Sequence, residues 1–224
     1  MGTDNLFHKR KAKTNKRYKP YRKEYDKVLI VCEGEKTEPH YFNELINHYK
    51  ISSANVKVDG SCGSSPKCVF EYAVQLFEEE EKKGDSYDRV YCVIDKDTHC
   101  TYDDTIAKTE NMQQFYLANS VPCFEYWLLL HFNYSTKPYA KKGKSSIANE
   151  VLKDLKQYIP KYEKGAKNIF NSTMKDLDFA INNAKRSSQQ ARENNTDNPS
   201  TCIHELVVYL RDIQKQPKII LDNN

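Results

Sequence analysis

Two short acidic strings carry the residue types that hold hard cations. One is Ile94-Asp95-Lys96-Asp97, which ends the apolar run Val90, Tyr91, Cys92, Val93. Side chains two apart on a strand share a face, so Asp95 and Asp97 can converge on one cation where the strand runs out, while Lys96 points the other way. The other string is Glu33-Gly34-Glu35-Lys36-Thr37-Glu38, which follows the apolar run Val28, Leu29, Ile30, Val31, Cys32. If the two strands lie parallel and side by side, Glu33 and the Asp pair meet at the carboxyl edge of one sheet, where open α/β folds place their chemistry. Close carboxylates repel one another in a low-dielectric site, so a cation or a raised pKa must accompany them. Mg2+ suits all-oxygen ligands and keeps waters, one of which can become a nucleophile; Mn2+ is the alternative ion. Either string alone is commonly turn or helix-cap chemistry, and only their joint placement raises metal binding above that reading.

A third cluster is Pro122-Cys123-Phe124-Glu125-Tyr126-Trp127-Leu128-Leu129-Leu130-His131-Phe132, which reads as the start and body of a helix. Glu125 falls in its first turn near the sheet edge and can bind a second ion or position the first. Lys36 can neutralise phosphate charge or simply pair with Glu33 or Glu35. His99 follows the Asp pair in a polar loop, where exposure is the simpler reading. His131 shares a face of an apolar helix with Phe124 and reads as a satisfied core histidine, and Trp127 as core packing.

The elements that must position these residues alternate. After the first strand, Thr37 can cap a helix whose apolar face is Tyr41, Phe42, Leu45, Ile46 and Tyr49. A short strand follows around Val56 and Val58, then a helix opened by Ser65 and Pro66 with Val69, Phe70, Ala73, Leu76 and Phe77 on one face. Beyond the second acidic strand come a helix over 103–111 and a strand from Phe115 to Ala118. This rhythm predicts a mostly parallel central sheet flanked by helices. After Tyr134 the chain turns polar and lysine-rich, and three helical patterns follow, carried by Ile147, Val151, Leu152 and Leu155, by Met174, Leu177, Ile181 and Ala184, and by Ile203, Leu206, Val207 and Leu210. The stretch 186–198 reads as a loop or frayed helix end, and Asn198-Pro199-Ser200-Thr201 as a cap for the last helix. The expected division is a basic arm over 1–25, an α/β core over 26–134 and a helical part over 135–224 packed on that core.

Composition narrows the class. A chain of 224 residues, 38% hydrophobic and 29% charged, can bury a core and lacks the composition of a disordered protein. No apolar run approaches the roughly 20 residues of a membrane span. The basic amino terminus has no signal-peptide core, and seven cysteines without a CxxC pair suit a reduced compartment, which together predict a cytoplasmic protein. Net charge is only +4, yet from Lys9 to Lys23 every charged residue is basic, with Tyr18 and Tyr21 interleaved. Such an arm suits phosphate backbone, and equally a solvated terminus.

In combination, Cys32-Glu33-Gly34-Glu35-Lys36-Thr37-Glu38 with Tyr41-Phe42, Ile94-Asp95-Lys96-Asp97-Thr98-His99, Ser120 with the cluster from Pro122 to Phe132, and Asn198-Pro199-Ser200-Thr201 with His204, Leu206 and Val207 resemble the RloB family. The resemblance spans residues 27–210. It implies a TOPRIM-like domain, with Glu33 as the acid or base and Asp95 and Asp97 as the metal pair. It also implies a role in phage defence and abortive infection, beside an ATPase of the AAA or ABC type. Topoisomerase-type members have further sequence including a glycine after the Asp pair, where this chain has Thr98-His99-Cys100. That departure argues against DNA strand passage.

The leading expectation is therefore a Mg2+-dependent nuclease. Asp95 and Asp97 hold the ion, Glu33 completes the site or moves a proton, Glu125 supports it, and Lys36 stabilises phosphate charge. RNA, transfer RNA in particular, is the expected substrate, with DNA as the other candidate. The rival readings are a non-catalytic module that binds nucleic acid and an ATPase, and a nucleotidyl-transfer enzyme on the same fold. The sequence says nothing of oligomeric state.

Overall fold

A computed structural model describes residues 25–63, 65–96 and 100–216. Residues 1–24 of the basic arm, Asp97 and His99 lie outside the described residues. Five strands form one sheet in the order β2-β1-β3-β4-β5, where β1 is Val28–Cys32, β2 Val56–Asp59, β3 Arg89–Asp95, β4 Phe115–Val121 and β5 Ser200–Thr201. The first four pair in parallel, and β5 is antiparallel to β4. The expected α/β fold with a mostly parallel sheet is the observed one.

Both faces of the sheet are covered, as a parallel sheet requires. On one face α2 (Pro66–Glu81) and α3 (Tyr102–Glu110) pack against Leu29, Val31, Val90, Cys92 and Ile94. On the other, Val28, Ile30, Cys32, Tyr91 and Val93 meet α1 (Thr37–His48) and α4 (Phe124–Leu129), joined by α5 (Ile147–Leu155), α6 (Ile169–Thr173), α7 (Leu177–Glu193) and α8 (Ile203–Asp212). Cys32 and Cys92 are fully buried strand residues and behave as small hydrophobes. Among the described residues, no helix is long and apolar enough to cross a membrane.

Several local expectations change. Thr37 is the first residue of α1 and does not cap it; its Oγ1 instead accepts the backbone N–H of Gly165 at 2.8 Å. Ser65 does cap α2, accepting from the Cys68 N–H at 3.3 Å. The stretch 186–198 is not a loop throughout, because α7 continues to Glu193. Its small residues Ser187, Ser188 and Ala191 are buried, and the two hydroxyls donate to the carbonyls of Pro199 and Thr201 at 3.1 Å each. Serine is a poor helix former in water, but here both hydroxyls have partners and the small side chains admit close packing. The segment 198–201 supplies the edge strand β5, with Ser120 and Thr201 paired both in register and through their hydroxyls at 2.9 Å, and the residue at the cap position of α8 is Cys202. Met174 falls on a 3-10 turn and is exposed. The short helix α6 gave no sequence signal.

His131 is the buried core histidine the sequence implied, stacked edge-on against Trp127 with ring centroids 4.8 Å apart. Its Nδ1 bonds the Trp127 and Leu128 carbonyls at 3.2 and 3.3 Å, while Nε2 has no partner among the described residues. Burial outweighs those bonds and lowers its pKa to about 4. Between that value and the ordinary 6.5 the unfolded chain takes up a proton that the native ring refuses, so this stabilisation is full above pH 6.5 and is lost as pH falls towards 4. His131→Leu should therefore remove about 2 kcal/mol of the stability lost between pH 6.5 and pH 5 in urea denaturation. A variant with the pH slope of the wild type would refute this assignment.

Candidate functional site

The site follows from strand register. Cys32 pairs with Val93 on the adjacent parallel strand, so the chain leaves β1 and β3 at the same edge. There the Asp95 backbone N–H donates to Glu33 Oε2 at 3.1 Å, and the Glu33 N–H donates to the Val93 carbonyl at 3.0 Å. Asp95 has the strand parity of Tyr91 and Val93, which face α1 and α4. Lys96 has the opposite parity; its ammonium lies 5.5 Å from the centre of the Tyr102 ring and pairs with Asp197. Period two on β3 thus sends the acid and the base to opposite sides, as the sequence requires.

Two further carboxylates reach the same place. Glu125 stands in the first turn of α4 and is 2% exposed. Glu38, in the first turn of α1, is 7% exposed, and its carboxylate lies so close to Gly34 that a Cβ there would stand 2.3 Å from Oε2. A side chain at 34 would therefore displace the Glu38 carboxylate from its present place. Desolvation is the largest influence on Glu38; with Glu125 and Glu33 nearby it outweighs Lys164 and raises the pKa to about 7. Asp95 is pushed well above the carboxylate range, again by desolvation first and then by Glu38, Glu125 and Glu33. The charges that act on Glu38 and Asp95 place these four carboxyl groups in one electrostatic neighbourhood.

The far wall comes from the segment between α5 and α6. Tyr162 is buried, and its hydroxyl donates to Glu125 Oε1 at 3.2 Å. Lys164 Nζ lies 3.7 Å from the same oxygen. Desolvation disfavours its charge, but Glu125, Cys123, Asp95 and Glu38 outweigh that and hold its pKa above the ordinary lysine value. Gly165, at φ +80°, is fixed by Thr37 Oγ1 and by His40 Nδ1, 3.2 Å from its carbonyl. A cleft of 390 Å3 opens along this wall, lined by Glu33, Lys36, Thr37, Gly63, Lys164 and Gly165 among others. Lys36 is exposed on its rim.

Of the residues singled out from sequence, the structure brings Glu33, Asp95 and Glu125 together and sets Lys36 at the cleft. Sequence reasoning missed Glu38, Tyr162 and Lys164. A signal existed for Glu38, which shares the acidic string with Glu33. None existed for the other two, which arrive from a remote polar segment.

A family model covers residues 28–210, from the first residue of β1 into α8. This chain belongs to the RloB-like protein family. The matched span contains all four carboxylates and the Tyr162–Lys164 wall, so within this RloB-like chain the whole candidate site lies inside the family region. No curated protein matches the chain, and no solved structure does.

The donors are oxygens, which fits a hard divalent ion such as Mg2+. Among the described residues, no group of three or more His, Cys, Asp and Glu side chains is arranged to hold a metal ion. The proton affinity of the cluster is itself measurable. The raised pKa of Glu38 means that its contribution to stability is full below about pH 4.5 and is lost as pH rises through 7. With divalent ions chelated, Glu38→Gln should stabilise the protein at pH 8 by about 1–3 kcal/mol and leave it unchanged near pH 4.5. Equal effects at the two pH values in denaturant titrations would show that the fold does not raise the proton affinity of Glu38.

Proposed function

We propose that this chain is a Mg2+-dependent, TOPRIM-like nuclease that cleaves phosphodiester bonds in nucleic acid. RNA, transfer RNA in particular, is the preferred substrate class and DNA the other. In this reading it acts in the cytoplasm as an effector of antiphage, abortive-infection defence, beside a partner ATPase of the AAA or ABC type. The observation that carries the reading is the convergence of Glu33, Glu38, Asp95 and Glu125 at the carboxyl edge of the parallel strands, two of them with raised proton affinity. Burying several carboxylates together is costly for a fold, and a site that binds a cation offsets that cost.

Asp95, Glu33 and Glu125, together with Asp97, would hold the ion. Once bound, the ion supplies charge stabilisation at the scissile phosphate. Glu33 abuts the end of β3 and is positioned to move a proton during attack. Glu38, with a pKa of about 7, can give or take a proton near neutral pH. Tyr162 orients Glu125 through its hydroxyl, and Lys36 on the cleft rim stabilises the charge of the entering strand.

One observation favours the non-catalytic alternative: the described carboxylates do not by themselves form a three-ligand metal group. A cellular experiment separates the two readings. Sequencing RNA and DNA ends in cells that express the wild type or Glu33→Ala should reveal a set of ends made only by the wild type, and in vitro Glu33→Gln should slow cleavage by about 10²–10⁴-fold. Identical ends in the two strains would favour a binding module. The arm is tested separately: deleting residues 1–23 should weaken nucleic-acid binding and flatten its salt dependence, and unchanged binding would remove the arm from the interface.

A further inference from the structure

The segment between α5 and α6 is held against the β1–α1 turn more firmly than a connecting loop requires. Gly165 bonds Thr37 and His40 through both its N–H and its carbonyl, and the Phe170 N–H donates to Glu44 Oε2 on α1 at 3.0 Å. Tyr162 anchors the other side on Glu125. Between these anchors the chain passes so close to Lys36 that a Cβ on Gly165 would stand 3.1 Å from that side chain, and the φ of +80° already favours glycine. The residue delivered by this arrangement is Lys164.

Its geometry is that of a residue waiting for another partner. At 3.7 Å from Glu125 the ammonium is beyond hydrogen-bond distance, and the lysine side chain is 57% exposed while that of Glu125 is 3% exposed. The lysine therefore keeps donors free for a group arriving from solvent, while Glu125 stays under the cleft. A phosphodiester entering a cleft backed by carboxylates meets repulsion, which a fixed cation beside them relieves. Lys36 and Lys164 both line that cleft, and Lys164 Nζ stands 3.7 Å from Glu125 at its carboxylate side.

We infer that Lys164 is a second phosphate-contacting cation of this site, beside Lys36, carried there by the 162–170 segment, with Gly165 as the positioning residue that lets the segment close on Lys36. The inference rests on the nuclease reading for its catalytic half and not for its binding half. Two assays on the full chain keep them apart. The first is binding of a labelled transfer RNA and a single-stranded DNA over a salt series in EDTA. The second is cleavage of both probes in Mg2+. Lys164→Gln should reduce the slope of log affinity against log salt by about 0.7 and slow cleavage by about 10²-fold, Lys164→Arg should restore most of both, and Lys144→Gln should change neither. Thermal melting of each variant checks that the fold is intact. A wild type that binds without cleaving would end the nuclease reading, and the salt slope of Lys164→Gln would still decide the role of Lys164. Wild-type slope and rate in Lys164→Gln would overturn the inference while leaving the nuclease reading in place, and a wild type that neither binds nor cleaves would overturn both.

Discussion

The parallel pairing of β1 with β3 is the constraint on which the site depends. Its register brings the ends of the two strands to one edge, and alternation along β3 then decides which side chain faces which layer of helices. Asp95 turns towards α1 and α4, whose first turns carry Glu38 and Glu125. A slip of one residue would send Lys96 into the carboxylates and Asp95 towards Tyr102. The apolar residues of both strands resist that slip, because it would exchange the two buried faces.

Assembling acids in this way works against the fold, and the rest of the molecule answers it. Glu33 accepts the Asp95 N–H, Glu125 is bonded by Tyr162, and Lys164 brings positive charge to the group. What remains is absorbed as raised proton affinity at Glu38 and Asp95. Proton uptake and cation binding are alternative answers to the same repulsion, so occupancy by one should exclude the other.

Much of this was legible in the sequence because periodicity reports burial directly. The strand runs, the helix opened by Ser65 and Pro66, the opposed directions of Asp95 and Lys96, and the burial of Trp127 and His131 follow from period and residue type alone. Misreadings arose where a polar residue was buried by a specific partner. Ser187 and Ser188 looked like loop residues because their carbonyl partners lie on the segment that becomes β5. Thr37 looked like a cap, yet the backbone of Gly165 takes its oxygen. Glu38 sits in a string of acids whose other members are half-buried or exposed, and nothing in residue type marks it as the buried one. Tyr162 and Lys164 belong to a lysine-rich stretch with no period, and only tertiary structure brings them to Glu125.

The bond between Gly165 and Thr37 joins residues 128 positions apart. Such a contact forms late, since the intervening chain must be ordered before its ends can meet. During synthesis the strands bearing Glu33 and Asp95 emerge first, and the far wall of the cleft follows only after α5 has been made. A nascent chain therefore holds its acids without the lysine that stands beside them, and the cleft has only one wall until the segment after α5 has left the ribosome.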